Sequence, residues 1–304
     1  TTGQSQERAR RKELVEAMNA AVGWYHQRLL DDPDARPASF LTGPTVVAVG
    51  DIACPPGRPV TATACRHRAT ARLAARYAPR RVLALGDLQY RTGSLRQFRA
   101  VYRPSWGRLK SVTRPIPGNH EYMTPGAAGY YAYFRRQRPG YYAFDVGGWR
   151  VYALNSNCGH VDCGREAAWL RRDMVANPRR CTAVMVHHPL YSSGDGEKPR
   201  VRPFWRVAYR HDTELVLAGH DHHYERFRRK DAVGNVARDG VQSFVVGTGG
   251  RSLLPLRGPR ARGSAFRDDD SFGVLALRLG EAGWAWAYTT IRGRVLDSGV
   301  GTCR

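Results

Sequence analysis

The chain has 304 residues, the length of one large domain or two ordinary ones, and 42% of them are aliphatic, aromatic or cysteine. With the 32 glycines added, about half the chain is apolar, so it can bury a core and wholesale disorder is excluded, while no apolar run approaches the ~18 residues of a membrane-spanning helix. The net charge is +22, with four lysines (12, 110, 198 and 230) among 48 cationic side chains, leaving 44 arginines. Such a surface attracts anions. The arginines are scattered, without a dense run of five or six, so a codon-driven solvated surface explains them as well. The charge suits an anionic substrate; a nucleic acid partner is admissible but not favoured.

The chain begins Thr1-Thr2-Gly3 with no initiator Met and no apolar leader, and reads as a processed chain whose signal peptide is already removed. Leu14, Met18, Ala21, Val22, Tyr25 and Leu29 recur at helical spacing, and Asp31-Asp32-Pro33 ends the pattern. This defines an N-terminal helical extension, residues 1–40, ahead of a catalytic domain, residues 41–304. From Thr45 the pattern changes to short apolar runs. Val46–Val49 ends in Gly50-Asp51, Val82–Leu85 in Gly86-Asp87, and Ile116 leads into Pro117-Gly118-Asn119-His120. Ala183–Val186 ends in His187-His188, and Leu215–Ala218 in Gly219-His220. Runs this short and bounded by Gly or Pro predict buried strands. Helices are predicted near 63–78, 164–176 and 203–211. A hairpin is predicted over 141–155 about Gly147-Gly148, with strands at 241–246, 274–279 and 284–290. The Gly/Arg-rich stretch 249–270 reads as a long surface loop.

Six cysteines stand at 54, 65, 158, 163, 181 and 303, none in a C-x-x-C pair, which disfavours a zinc ribbon or redox motif. Two close pairs, Cys54/Cys65 and Cys158/Cys163, suggest disulfides and a compartment outside the reducing cytosol. Six free thiols in a cytosolic enzyme are the alternative. Cys181 and Cys303 pair only by elimination.

Five strand ends deliver Asp51, Asp87, Asn119-His120, His187 and His220-Asp221-His222. Carboxyl ends of strands in an α/β sheet face one crevice, and carboxylate, amide and imidazole together are ligands for metals of intermediate hardness. A carboxylate can bridge two ions ~3.5–4 Å apart, the arrangement that clamps a phosphoryl group. One such residue alone means little; five at successive strand ends point to a metal centre.

The set Gly50-Asp51, Gly86-Asp87-Leu88-Gln89-Tyr90, Gly118-Asn119-His120-Glu121, Val184–His187 and Gly219-His220-Asp221-His222 resembles the five motifs of the calcineurin-like metallophosphoesterases. Tyr90, three residues after the second Asp, narrows the likeness to the purple acid phosphatase branch. Flanks such as Phe244–Gly250 resemble secreted actinobacterial phosphoesterases. The resemblance spans residues 45–300 and implies a four-layer α/β/β/α sandwich of two mixed β-sheets flanked by helices, here with an extra N-terminal helix.

It further implies two metal ions. Asp51, Asp87, Tyr90 and His222 hold iron(III) in the first site; Asp87 bridges to a second ion held by Asn119, His187 and His220, which is zinc, manganese or iron(II). It implies a secreted phosphomonoesterase acting on a small phosphoester substrate by in-line attack of a metal-bound hydroxide. His120 is the candidate acid toward the leaving group, with Glu121 orienting its imidazole; Asn119, His188 and His223 are candidate substrate contacts. The chain departs from the family in having Ala53 where Asp-x-Gly is usual, and no His among Ser192–Glu197. Asp195 or Glu197 near the site would disfavour highly charged substrates. A phosphodiesterase, nucleotide pyrophosphatase or nuclease of the same fold is the alternative, and a basic nucleic-acid-binding protein on an inactive scaffold is the reading from another class.

Overall fold

The computed structural model describes residues 42–136, 140–194 and 198–304, with Glu16. The helix expected within the 1–40 extension, apart from Glu16, and residues Asp195 and Glu197 lie outside the described residues.

Each apolar run becomes a strand. In chain order these are β1 (Thr45–Val49), β2 (Arg81–Leu85), β3 (Thr113–Ile116), β4 (Tyr142–Val146), β5 (Trp149–Ala153), β6 (Cys181–Met185) and β7 (Leu215–Ala218). They continue as β8 (Tyr224–Phe227), β9 (Gln242–Val246), β10 (Ser264–Asp268), β11 (Gly273–Leu279), β12 (Gly283–Thr290) and β13 (Val295–Thr302). The helices used below are α1 (His67–Arg76), α2 (Asn119–Tyr122), α3 (Ala128–Phe134), α4 (Cys163–Ala176) and α5 (Arg202–Arg210).

The strands form a six-stranded sheet in the order β13-β12-β11-β1-β2-β3 and a seven-stranded sheet in the order β10-β8-β9-β7-β6-β5-β4. Both are mixed: β1 runs parallel to β2 with Val49 opposite Ala84, while β1 and β11 are antiparallel. Likewise β6 is parallel to β7, and β8 antiparallel to β9. Strands covered on both faces are apolar throughout rather than alternating. In β1, Val46 and Ala48 face the core between the sheets, with Leu83, Leu85, Met185, Leu217 and Trp284. Val47 and Val49 face the outer layer with Ala71, Leu73 and Ala74 of α1 and an aromatic cluster of Phe98, Tyr102, Trp106 and Tyr130. On the far side Val184, Val186 and Val216 pack against Leu170 and Met174 of α4 and Phe204 and Trp205 of α5. Four layers result, as expected, and each fully buried valine or leucine contributes roughly 1.5–3 kcal/mol.

The stretch 249–270 is not loop throughout: Ser264–Asp268 is β10, paired with β8 across a bulge. Strand β13 carries no strand signal in the sequence either, because it contains Gly299 and Gly301. A Cβ at either position would collide with the rings of Trp286 and Trp284 on β12, so tryptophans supply the cover that the glycines lack.

All six cysteines pair: Cys54–Cys65, Cys158–Cys163 and Cys181–Cys303. Cys181 opens β6 and Cys303 follows β13, so the third bridge joins the two sheets at the end opposite His187.

Candidate metal centre

The polar residues at the strand ends do converge. Asp51, Asp87 and His220 hold left-handed backbone, with φ of 59°, 49° and 72°, which costs about 1–3 kcal/mol each. Two glycines permit the approach. A Cβ on Gly118 would strike the Asp87 carboxylate, and one on Gly219 would lie 2.8 Å from Asp51 Oδ2.

Two clusters of donor atoms meet at Asp87. In the first, Tyr90 Oη lies 2.9 Å from Asp51 Oδ1, 3.0 Å from Asp87 Oδ2 and 2.9 Å from His222 Nε2, and His222 Nε2 is 3.4 Å from Asp51 Oδ1. In the second, Asn119 Oδ1 is 3.0 Å from both His187 Nε2 and His220 Nδ1, which are 3.3 Å apart. His187 Nε2 lies 3.5 Å from Asp87 Oδ1, linking the clusters. Ligands of one ion at about 2.0–2.1 Å stand about 2.9 Å apart in an octahedron and about 3.4 Å apart in a tetrahedron. Both donor sets therefore fit a cation. Hardness separates them: carboxylates and a phenol dominate the first, imidazoles and an amide the second.

Outer partners fix the imidazoles. His187 Nδ1 donates to the Leu85 carbonyl at 2.8 Å, leaving Nε2 to the cluster. His222 Nδ1 lies 2.8 Å from Ser252 Oγ. Ser156 Oγ accepts from the backbone N–H groups of His187 and His188, both at 3.0 Å. Nothing in the sequence flagged Ser156 or Ser252, since a lone serine carries no spacing signal.

Burial, then the Asp51 and Asp87 carboxylates, push the Tyr90 phenol well above its ordinary value. A phenolate here needs a cation beside it. Burial disfavours a charged His187, but Asp87 outweighs it and lifts the imidazole to about 9. Burial also opposes ionisation of Asp87, yet His187 and His120 hold it below the usual carboxylate range. Burial, then His187 and His220, depress His188 to about 2.

His120 lies at the rim, its ring 4.2 Å from that of Tyr90 and its Nδ1 2.5 Å from the Arg91 carbonyl. Glu121 does not orient it, contrary to expectation. Glu121 is fully buried, where its Oε1 accepts from the amides of Leu88 and Gln89 and its Oε2 from that of Gly118. Burial and the Asp87 carboxylate push it up to about 8 against the pull of those amides. Glu121 thus ties the loop after β2 to the start of α2, and the Arg91 carbonyl takes the orienting role. His223 is also displaced from its expected place: it is buried, with Nε2 3.1 Å from Glu225 Oε2. Ser193 donates to the same carboxylate from its amide and its hydroxyl, at 2.8 and 2.5 Å. Ala53 takes no left-handed φ and pairs with Gln89 in a short parallel bridge, so its place needs no glycine.

A cleft of about 370 Å³ opens beside Asn119 and His188, lined further by Ser156, Asn157, His160, Lys198 and Arg200. It leads a ligand of small-molecule size to the second cluster.

A two-sheet α/β sandwich with acidic and imidazole donors at its strand ends is the architecture of a metallophosphoesterase. The calcineurin-like phosphoesterase profile matches residues 44–224, and the chain belongs to that family. Purple acid phosphatase 21 of Arabidopsis thaliana is 35% identical over 159 residues, covering 47% of this chain and 35% of that protein. Fe(3+)-Zn(2+) purple acid phosphatase 12 of the same plant is 34% identical over 136 residues, 36% of this chain and 28% of that protein. The chain is thus matched to about a third of the length of these curated relatives. Purple acid phosphatase PPD1 from yellow lupin seeds shares the fold, with a TM-score of 0.67 at 20% identity over 88% of this chain and 55% of that one.

Proposed function

We propose that the chain is a dinuclear-metal phosphomonoesterase working outside the reducing cytosol. The observation that carries this reading is the pair of donor clusters sharing Asp87. Asp51, Asp87, Tyr90 and His222 hold the first ion, iron(III), for which a phenolate is a hard anionic donor. Asp87, Asn119, His187 and His220 hold the second, which is zinc, manganese or iron(II). The relative described as an Fe(3+)-Zn(2+) enzyme supports that pairing. Such ions supply Lewis acidity and neutralise charge on the phosphoryl oxygens.

The chain's own groups do the rest. Asn119 and the imidazoles preset the second site, so little reorganises when substrate arrives. His120, pinned through Nδ1 to the Arg91 carbonyl, holds a proton at Nε2 for the leaving-group oxygen. His188 stays neutral and lines the cleft that receives the leaving group. The disulfides, which leave no free cysteine, support an oxidising compartment.

The test is metal content with a visible spectrum, followed by hydrolysis of p-nitrophenyl phosphate and bis(p-nitrophenyl) phosphate. About one iron per chain with a band at roughly 500–600 nm, and faster monoester turnover, is the expected result. Faster diester turnover would favour the phosphodiesterase alternative. Metal-replete protein inert on both esters would overturn the enzymatic reading.

A further inference from the structure

Arg251 follows Gly249-Gly250, just past β9, and its guanidinium carbon lies 5.1 Å from the centre of the Tyr90 ring. Tyr90 Oη is 2.9 Å from Asp51 Oδ1 and from His222 Nε2, so the guanidinium packs over the ring of a residue of the first donor cluster. Its Nε is buried and meets no acceptor among the described residues, an arrangement that costs stability unless something anionic arrives. The backbone here is held firmly. Arg251 N donates to the Asp51 carbonyl at 3.0 Å, and the Arg251 carbonyl accepts from Cys65 N at 3.3 Å. Ala64 pairs with Ser252, so the loop closed by Cys54–Cys65 braces the segment that carries both Arg251 and the serine beside His222. Arg58 and Arg91 lie near enough to add like charge around Arg251.

A phosphate monoester near neutral pH carries close to two negative charges, whereas a diester carries one. The extra anionic oxygen is what an arginine fork recognises best. We propose that Arg251 is the specificity-determining residue that selects monoester over diester, by hydrogen-bonding the phosphoryl oxygen that is esterified in a diester. This rests on the phosphomonoesterase reading above and names the residue that makes it selective.

The experiment uses the metal-loaded full chain, its Arg251→Gln and Arg251→Lys variants, and three readouts: metal content, calorimetric affinity for inorganic phosphate, and kcat/KM on the two nitrophenyl esters. In Arg251→Gln, the monoester-to-diester ratio of kcat/KM and the phosphate affinity should each fall about tenfold or more with metals retained. Arg251→Lys, which keeps the charge and loses the fork, should fall between that variant and wild type. A ratio and an affinity within about twofold of wild type in both variants would overturn the proposal and leave Arg251 as a packing partner of Tyr90. Metal loss in both variants would overturn it too, by assigning Arg251 to the stability of the first site. A wild-type preference for the diester would instead overturn the monoesterase reading itself, before any variant is compared.

Discussion

Asn119 and His120 are neighbours in sequence with different surroundings. Asn119 Oδ1 meets His187 and His220 at 3.0 Å, while His120 turns Nδ1 to the Arg91 carbonyl and its ring to Tyr90. Asn119→Ala is therefore expected to lower occupancy of the second cation site. His120→Ala is expected to retain both ions and lose about 10²–10⁴ in kcat. Elemental analysis beside steady-state kinetics separates the two, and loss of ions from His120→Ala would contradict its assignment. Glu166, on α4, poses a separate question. Its Oε1 accepts from Asn155 N at 2.7 Å and its Oε2 meets no partner among the described residues. Burial, offset only in part by that amide, pushes its pKa from 4.5 to about 8. The unfolded chain releases this proton near the ordinary value and the folded chain does so only near 8. Folding stability is therefore lost as pH rises from about 4.5 through about 8, by roughly a few kcal/mol, and is flat above. Glu166→Gln cannot ionise, so its Tm relative to wild type should climb between pH 5 and 8. A difference that does not vary with pH would mean that Glu166 ionises normally in the native state.

Among the elements, the three disulfides close loops of very different length, with sequence separations of 122, 11 and 5 for Cys181–Cys303, Cys54–Cys65 and Cys158–Cys163. Loop-closure entropy then ranks their contributions at about 5, 3 and 2 kcal/mol. Paired Cys→Ser variants followed by denaturant unfolding should reproduce that order. The Cys54/Cys65 variant should also disturb the His222 site, because its loop braces Ser252. The elements divide in the same way into those the sequence displays and those it hides. Strands β1, β2, β6 and β7 were legible because burial on both faces makes them continuous apolar runs, and a polar residue past each end marks the crevice. Strand β8, Tyr224-Glu225-Arg226-Phe227, carries two charges that break the apolar run by which a buried strand is read. They are satisfied only in three dimensions, Glu225 by Ser193 and His223, and Arg226 by Asp297 at 2.8 Å. The donor residues could be named from their strand ends. The groups that hold them, Ser156, Ser252 and the Arg91 carbonyl, could not, because a backbone carbonyl and a single hydroxyl leave no pattern in a sequence.

At the scale of the whole molecule, the metal centre lies across the seam of the sandwich. Asp51, Asp87, Tyr90 and Asn119 follow strands of the six-stranded sheet, whereas His187, His220 and His222 follow strands of the seven-stranded one. Gly50 N donates to the Val246 carbonyl at 2.8 Å across the same seam. The opposite end is closed by Cys181–Cys303. Cations bound between the sheets therefore act as a second staple, and their binding free energy adds to that of folding. The buried Asp51 and Asp87 carboxylates both meet the Tyr90 hydroxyl, and each accepts one backbone N–H, from His220 and His120 at 2.8 Å, so a cation between them would offset charge that these groups neutralise only in part. At a free-ion concentration of about 1,000 times Kd the gain is about 4 kcal/mol, which for a chain of this size is a Tm shift on the order of 10 °C. Chelation should lower Tm by about that much, and added zinc, manganese or iron should restore it in a concentration-dependent way. Amide hydrogen exchange in the chelated protein should rise at the ends of β1, β2, β6 and β7 nearest the donors and stay low near Cys181. If chelation left Tm and exchange unchanged although the ions had gone, the packing between the sheets would hold the seam alone.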